Sequence, residues 1–263
     1  MSIEDSNSIK EIGLTNYRFD IAQFLQRGWQ LFVQNLWGFL GFGFISWIMI
    51  FALSQLPVAG PILLSGFAGV LQAGYFFVSF SIARGYKYVF ADFFKGFRSN
   101  YFLPLFLAHF IVSLFTGVLS LVSLSCFSVV IYNPLRKLLI SSPEFANLPN
   151  ISIPPGSIPI FFILGLLALG LTSYLAVAYS FVNPLIVDRK MGSWDAIETS
   201  RRLITKRWWA FAVFTFVLSL LNLLGLLSVV GIFFIAPFTA CALAAAYEGT
   251  IGLSQNDIEN KYF

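Results

Sequence analysis

Residues 182–209 read VNPLIVDRKMGSWDAIETSRRLITKRWW and join segments of different character. A long apolar run ends at Asp188, a charged segment with apolar residues at helical spacing follows, and a second long apolar run begins at Trp208. This order is typical of a membrane helix, a helix at the membrane surface and a second membrane helix. The stretch therefore predicts a polytopic membrane protein, but it indicates no chemical reaction.

The composition of the whole chain agrees with a membrane protein. Of its 263 residues, 58% are hydrophobic and 11% are charged, whereas soluble domains contain about 25% charged residues. Residues 1–20 are polar and carry four acids, so we expect no signal peptide and expect the first span to act as the insertion signal. The net charge is +4 with the bases beside apolar segments, which favours anionic membrane lipids over nucleic acid as partners.

Hydropathy predicts an all-α fold with six transmembrane helices arranged as three hairpins. The spans are predicted at residues 36–55, 62–83, 102–131, 160–187, 208–228 and 232–249. An amphipathic interfacial helix is predicted before each hairpin, at residues 20–35, 90–100 and 193–207. Residues 132–159 hold six of the eleven prolines and are predicted to form an irregular loop. Residues 1–18 and 255–263 are predicted to be polar tails.

The bases predict the orientation of the spans. With both termini in the cytoplasm, 14 of the 16 bases lie on the inner side and only Arg136 and Lys137 lie outside. This distribution obeys the positive-inside rule. We therefore expect a protein of the bacterial cytoplasmic membrane, or of an equivalent internal membrane.

Residues 19–254 are predicted to form one domain built from an internal repeat, with units at 19–83, 90–187 and 193–250. Each unit opens with an aspartate, Asp20, Asp92 or Asp195, followed by an arginine six or seven residues later. The second helix of each hairpin carries small residues at every fourth position, a spacing that lets helices approach closely in lipid. We therefore expect the second, fourth and sixth spans to form an inner layer.

Five polar residues inside or near the spans are candidates for function. His109 is a proton relay or metal ligand, or else a structural hydrogen-bonding group. Glu248 is an intramembrane acid, or else a side chain that reaches the cytoplasmic surface. Asn183, before Pro184, opens a polar site by breaking the fourth span, or else accompanies a packing kink. Gln72 and Asn222 are expected to form hydrogen bonds between helices.

The charged segment is the best candidate for lipid-headgroup binding. The residues proposed for this role are Arg189, Lys190, Arg201, Lys206 and Arg207. The alternative is a solvated face that only satisfies the positive-inside rule. Glu198 is expected to pair with Arg202, which would leave Arg201 free. The apolar stripe of Trp194, Ile197 and Ile204 is expected to insert into the membrane.

Catalysis, a cofactor and a metal site are not expected. A single histidine in mid-span excludes a Ser-His-Asp triad. The chain has no glycine-rich phosphate loop followed by Lys-Ser or Lys-Thr. Two cysteines cannot form a closed zinc site. No paired carboxylates recur at a plausible site.

The run from Asn183 to Ile197, the segment Ser200 to Leu203 and the pair Trp208-Trp209 resemble a widespread group of bacterial six-span proteins. Gly60-Pro61 and the small-residue end from Ala240 to Tyr247 fit the same group. That group is related to the membrane domain found with glycerophosphoryl diester phosphodiesterases. The resemblance implies a membrane module without the phosphodiesterase activity, because the catalytic chemistry of those proteins belongs to a separate soluble domain.

These observations favour a non-catalytic membrane protein that organises or binds lipid or partner proteins at the cytoplasmic leaflet. A homo-oligomer is compatible with the same observations. The alternative is a small-molecule transporter or channel component. A membrane enzyme is the third hypothesis. A polar cavity lined by the intramembrane candidates would favour transport, and polar groups clustered at the cytoplasmic face would favour lipid binding.

Overall fold

The computed structural model describes residues 19–57, 59–139 and 154–254. Within these ranges the chain is all-helical and contains no strand. The α-helices are α1 (Ile21–Gln34), α2 (Leu36–Ser54), α3 (Ala59–Ala83), α4 (Ser99–Leu139), α5 (Ile158–Ala178), α6 (Val182–Arg189), α7 (Ser193–Thr205), α8 (Trp208–Leu226) and α9 (Val229–Ile251). Two 3₁₀ helices, Phe90–Phe97 and Pro155–Ser157, precede α4 and α5. The predicted tails and residues 140–153 of the predicted loop lie outside the described ranges.

Among the described residues, six segments are long and apolar enough to cross a membrane, as the sequence predicts. They are Leu36–Ser54, Ala59–Ala83, Ser99–Tyr132, Ile158–Arg189, Trp208–Leu226 and Phe233–Ile251. A helix is the form that such apolar segments take in hydrocarbon, because it satisfies every backbone polar group within the segment. The coarse prediction of an all-α protein with six membrane-capable helices is therefore confirmed.

The amphipathic segment before the third span differs from its prediction as an α-helix. It is a 3₁₀ helix at Phe90–Phe97, and α4 then begins at Ser99. The helix lies close to α3 at two glycines. A Cβ at Gly74 would lie 2.4 Å from the Phe93 carbonyl oxygen, and one at Gly96 would lie 2.8 Å from the Val70 carbonyl oxygen. Only glycine allows these two backbones to approach so closely.

The helix that contains the third span is also longer than predicted. α4 continues to Leu139, although residues 132–139 were expected to belong to the loop. Leucine, arginine and lysine after Pro134 are good helix formers, so the helix continues where the prolines of the sequence suggested an irregular chain.

The fourth span is broken between α5 and α6, at residues 179–181. Pro184 lies in the first turn of α6, where its missing N–H interrupts the regular hydrogen bonding of the helix. The buried hydroxyl of Ser200 in α7 donates to the Ala178 carbonyl (2.7 Å) and accepts from the Phe181 N–H (3.3 Å). Ser200 therefore provides hydrogen-bonding partners for the interrupted backbone.

The described residues form two compact units. The first contains residues 19–112 and 177–254, and the second contains residues 113–176. In the first unit α3 and α9 are the most buried spans, with 56% and 61% of their membrane-length windows buried. In the second unit, Ser123 of α4 donates to the Gly165 carbonyl of α5 at 3.1 Å, and Phe127 contacts Phe162 edge to face.

Within the first unit, the α6 part of the fourth span is buried together with the second and sixth spans. Most of α5 belongs to the second unit. The predicted inner layer of the second, fourth and sixth spans therefore stays a prediction.

Helix α1 packs against α9 within the first unit. Asp20 caps α1 by accepting a hydrogen bond from the Gln23 N–H at 3.2 Å. A Cβ at Gly28 would lie 2.5 Å from Cα of Ala242, so the two helix backbones nearly touch at this point. One face of α1 is therefore buried by protein.

Candidate functional site

A basic cavity of about 400 Å³ lies at the end of α3, and we call it the basic cavity throughout. It is lined by Phe77, Phe80, Ser81, Arg84, Tyr86, Lys87, Lys95, Arg98, Tyr101 and Val187. Four of these residues are basic and none is acidic. The positive charge, together with the aromatic rings, makes this cavity suited to an anionic group that is attached to an apolar body.

The end of α3 places two of the bases. Gly85 has a φ of 70°, and the N–H groups of Gly85 and Tyr86 donate to the carbonyls of Ile82 and Ser81, both at 2.9 Å. This is the Schellman arrangement, in which glycine takes the left-handed conformation after the last helical residue. The turn leaves Arg84 at the helix end and directs the chain towards Lys87.

The 3₁₀ helix and the start of α4 place the other two bases. Lys95 forms an ion pair with Asp92 at 3.0 Å, so its charge is partly balanced. Lys87 and Arg98 are exposed, and neither forms an ion pair within the described ranges. Arg98 and Tyr101 also line a neighbouring cavity with Lys190. Lys87 and Arg98 are therefore the bases most available to an external anion.

A buried polar cluster lies beside the basic cavity and shares Arg84 with it. The Asp188 side chain is fully buried, and it accepts hydrogen bonds from Arg84, from the Tyr247 hydroxyl at 2.9 Å and from the Ser254 N–H at 3.1 Å. Arg84 also donates to the Ser254 carbonyl at 3.1 Å. The cluster joins the ends of the second, fourth and sixth spans and fixes one wall of the basic cavity.

Two of the five residues predicted to bind headgroups are paired with acids in the structure. Nε of Arg189 lies 3.7 Å from Asp188, and 13% of the Arg189 side chain is exposed. Arg201 donates to Glu198 at 2.7 and 2.9 Å. Lys190 lines the cavity beside Arg98, Lys206 is exposed and Arg207 is half-buried. A role of these five residues in lipid binding stays a prediction.

The expectation that Glu198 leaves Arg201 free is wrong, because Glu198 binds both arginines. Arg202 donates to the same carboxylate at 2.6 Å. These hydrogen bonds, from Arg201 first and Arg202 second, lower the pKa of Glu198 from 4.5 to about 2. The expected insertion of the apolar stripe also needs correction. Trp194 is exposed, but Ile197 and Ile204 are buried in the protein core.

Three of the five intramembrane candidates lie close together. The Asn183 side chain donates to Gln72 Oε1 at 2.7 Å, which places the amides of α6 and α3 in contact as expected for interhelical hydrogen bonding. Gln72 and His109 line one cavity of about 340 Å³. A Cβ at Gly69 would lie 2.4 Å from Cβ of His109, so this glycine lets the histidine pack against α3.

The other two candidates lie elsewhere. Glu248 forms an ion pair with Arg27 of α1 at 3.3 Å, with 28% of its side chain exposed. This position agrees with a side chain that reaches the surface of the protein. Asn222 donates to the Leu218 carbonyl of its own helix at 2.8 Å and lies 3.5 Å from the Thr239 hydroxyl of α9. Neither residue lines the cavity of Gln72 and His109.

Within the described ranges, no group of three His, Cys, Asp or Glu side chains is arranged to hold a metal ion. The chain matches no protein-family model, no curated protein and no solved structure. The resemblance to the membrane domain of the phosphodiesterases therefore stays a prediction.

The residues that form the basic cavity and the buried cluster were not predicted from the sequence as a site. Arg84, Lys87, Lys95 and Arg98 lie within 15 residues of one another between two spans, and this density was the signal that could have selected them. It was used only to predict orientation. Asp188 and Tyr247 are 59 residues apart, and no local pattern connects them.

Proposed function

We propose that this chain is a non-catalytic integral membrane protein that binds the anionic headgroup of a phospholipid at the cytoplasmic leaflet. The observation that carries the proposal is the basic cavity, in which four bases and no acid surround a space next to the end of a membrane-capable helix. Arginine and lysine recognise phosphate by charge and hydrogen bonding, and the aromatic rings provide contact for the glycerol and the upper acyl chains.

Lys87 and Arg98 contribute most to the attraction in this proposal. Both are exposed, whereas Arg84 and Lys95 are paired with Asp188 and Asp92. A base near an anionic membrane surface contributes about 1 kcal/mol. Two such bases contribute about 2 kcal/mol, which corresponds to about a thirty-fold change in affinity.

The proposed orientation has both termini and the basic cavity in the cytoplasm. The ends of the second, fourth and sixth spans meet in the cluster of Arg84, Asp188 and Ser254, so they belong to one side of the protein. The distribution of bases favours the cytoplasm for that side. We further propose that the spans are three repeated hairpins, each preceded by an amphipathic segment, since α1, Phe90–Phe97 and α7 precede successive pairs of spans.

The test compares the parent with the double variant Lys87→Gln, Arg98→Gln in nanodiscs. The nanodiscs contain anionic phosphatidylglycerol and neutral phosphatidylcholine. Native mass spectrometry counts how many molecules of each lipid stay bound to the protein after its release from the nanodisc. We expect the parent to retain anionic lipid with about thirty-fold higher affinity than the double variant. The comparison variant is Lys206→Gln, Arg207→Gln, which removes the same charge from the predicted α7 site; a larger loss of lipid in the Lys87, Arg98 variant than in this one supports the basic cavity as the main headgroup site.

Two outcomes would contradict the proposal. Equal retention by the parent and the Lys87, Arg98 variant would exclude the basic cavity as a headgroup site. Loss of retention only in the Lys206, Arg207 variant would assign the binding to α7. A further arm adds inorganic phosphate at millimolar concentration. If inorganic phosphate displaces the lipid, the cavity recognises the phosphate group of the lipid alone. If the lipid is retained, its glycerol and acyl chains are also required for binding.

A further inference from the structure

The cavity of Gln72 and His109, which we call the mid-span cavity, is a second candidate binding site. Residues of α2, α3, α4 and α9 line it, and it shares no lining residue with the basic cavity. Its volume of about 340 Å³ lies in the range of ~300–1,000 Å³ typical of small-molecule sites. None of the described residues that line it is Asp, Glu, Lys or Arg, so its surroundings favour an uncharged ligand.

Two polar side chains in the mid-span cavity lack protein partners for part of their hydrogen-bonding capacity. Gln72 lies near the centre of α3, yet it is exposed. Its Oε1 accepts from Asn183, but no described residue accepts from its amide N–H groups. His109 has no hydrogen-bonding partner within the described ranges. Unsatisfied polar groups cost free energy at membrane depth, so a ligand that binds them is favoured.

The helix α9 contains a proline beside the mid-span cavity. Pro237 lies inside this helix and has no N–H, so the carbonyl of Phe233 lacks its regular helical donor. Both residues line the cavity, together with Ser46 and Tyr75. The cavity therefore combines polar side chains from α2, α3 and α4 with an otherwise apolar lining.

The remaining lining is apolar and extends to the surface of α2. Trp47 and Ile50 are both exposed and both line the cavity. α2 is a membrane-capable helix, so the surface that carries these two residues faces lipid in an embedded protein. A ligand dissolved in the membrane has direct access at this point.

We infer that the mid-span cavity binds an uncharged amphiphile from the membrane, with an aliphatic body that ends in a hydroxyl group. A hydroxyl donates one hydrogen bond and accepts others, so it can accept from Gln72 while it donates to the His109 ring. A charged headgroup has no counter-ion here, and a pure hydrocarbon leaves the polar groups unsatisfied.

The experiment uses photolabelling of the full chain in nanodiscs with a diazirine-bearing 1-octanol. Mass spectrometry of peptides locates the labelled residues, which we expect at 43–50, 68–75, 109 or 233–237. Unlabelled 1-octanol is expected to prevent the labelling at a membrane concentration about tenfold lower than octane does. One hydrogen bond contributes up to about 1.5 kcal/mol, which corresponds to about a tenfold difference in affinity. This comparison needs no variant, so it tests the inference even if a substitution prevents folding.

The variant Gln72→Leu tests the polar contact, and Asn222→Leu is its matched control. Asn222 is also an amide in a membrane-capable helix, but it lies outside the mid-span cavity. The measured quantity is the part of the photolabelling that unlabelled 1-octanol removes. We expect Gln72→Leu to lower this quantity about tenfold and Asn222→Leu to leave it unchanged. Equal competition by octane and octanol, equal labelling of Gln72→Leu and the parent, or labelling only at other residues would each overturn the inference.

Discussion

The guanidinium group of Arg84 donates a hydrogen bond to the fully buried carboxylate of Asp188, which joins the end of the second span to the end of the fourth. The two residues are 104 positions apart in the chain. Both also bind the backbone of Ser254 after the last helix. The ion pair therefore holds three span ends together and supports one wall of the basic cavity.

The substitution Asp188→Asn is expected to destabilise the protein by about 3–5 kcal/mol. Removal of one partner of a buried ion pair leaves the other charge uncompensated, and this is the usual size of the loss. Reversible unfolding by denaturant in mixed micelles measures the change. Asp195→Asn is the control, because Asp195 is exposed at the start of α7. Equal loss in both variants would show that the burial of Asp188 has no energetic consequence.

The substitution Gly28→Ala is expected to destabilise the contact between α1 and α9 by about 1–3 kcal/mol, the usual cost of overpacking. The added Cβ would lie 2.5 Å from Cα of Ala242, and a backbone atom cannot move aside without displacing a helix. Gly117→Ala in α4 is the matched control. Its Cβ meets no atom within 4 Å, so it is expected to stabilise by about 0.5–1 kcal/mol through helix propensity. Thermal unfolding in detergent compares the two, and equal midpoints would contradict the close packing.

The substitution Ser200→Ala is expected to cost about 1–3 kcal/mol, because it leaves the Ala178 carbonyl and the Phe181 N–H without the Ser200 hydroxyl. Hydrogen exchange of the Phe181 amide is expected to accelerate in the same variant. The control is Ser173→Ala, since the exposed Ser173 hydroxyl bonds only to the Leu169 carbonyl of its own helix. Unchanged exchange at Phe181 would show that another group supports the break between α5 and α6.

The pairing of Glu198 with Arg201 and Arg202 predicts a pH dependence of stability. Because the pKa of this carboxyl is lowered from 4.5 to about 2, its stabilising effect is complete above about pH 4.5 and disappears as the pH falls towards 2. The difference in unfolding midpoint between the parent and Glu198→Gln measures this effect without the contribution of other acids. We expect a constant difference above pH 5 that approaches zero near pH 2. A difference that does not change with pH would refute the pairing.

The helices could be predicted because long apolar runs have one favourable conformation in hydrocarbon. The starts of α2 and α8 at Leu36 and Trp208 agree with the predicted spans. Pro184 located the break in the fourth span to within a few residues, because proline lacks the N–H of a regular helix. Asp20 begins the first predicted amphipathic helix, and the structure shows it as the cap of α1.

The sites could not be predicted to the same degree, because they depend on contacts between distant residues. The stripe of Ile197 and Ile204 has the same spacing whether it faces lipid or protein, and only the fold shows that both are buried in the core. Lys87 and Arg98 are available to an external anion because Asp188 and Asp92 pair with Arg84 and Lys95 instead. These pairings are visible only in the fold. Gln72 and His109 were predicted as single polar residues. The cavity that they share is formed by four helices, so the sequence alone does not reveal it.

The ion pair between Arg27 and Glu248 imposes an order of events on the synthesis of this protein. The two residues are 221 positions apart, and translation proceeds at ~5–20 residues per second. About 10–40 s therefore pass between the emergence of α1 and that of its partner helix. During this interval the apolar face of α1 needs another occupant, such as the bilayer surface or a chaperone. Although α1 is made early, it is thus among the last of the described helices to reach its native position, because its binding surface on α9 is completed last.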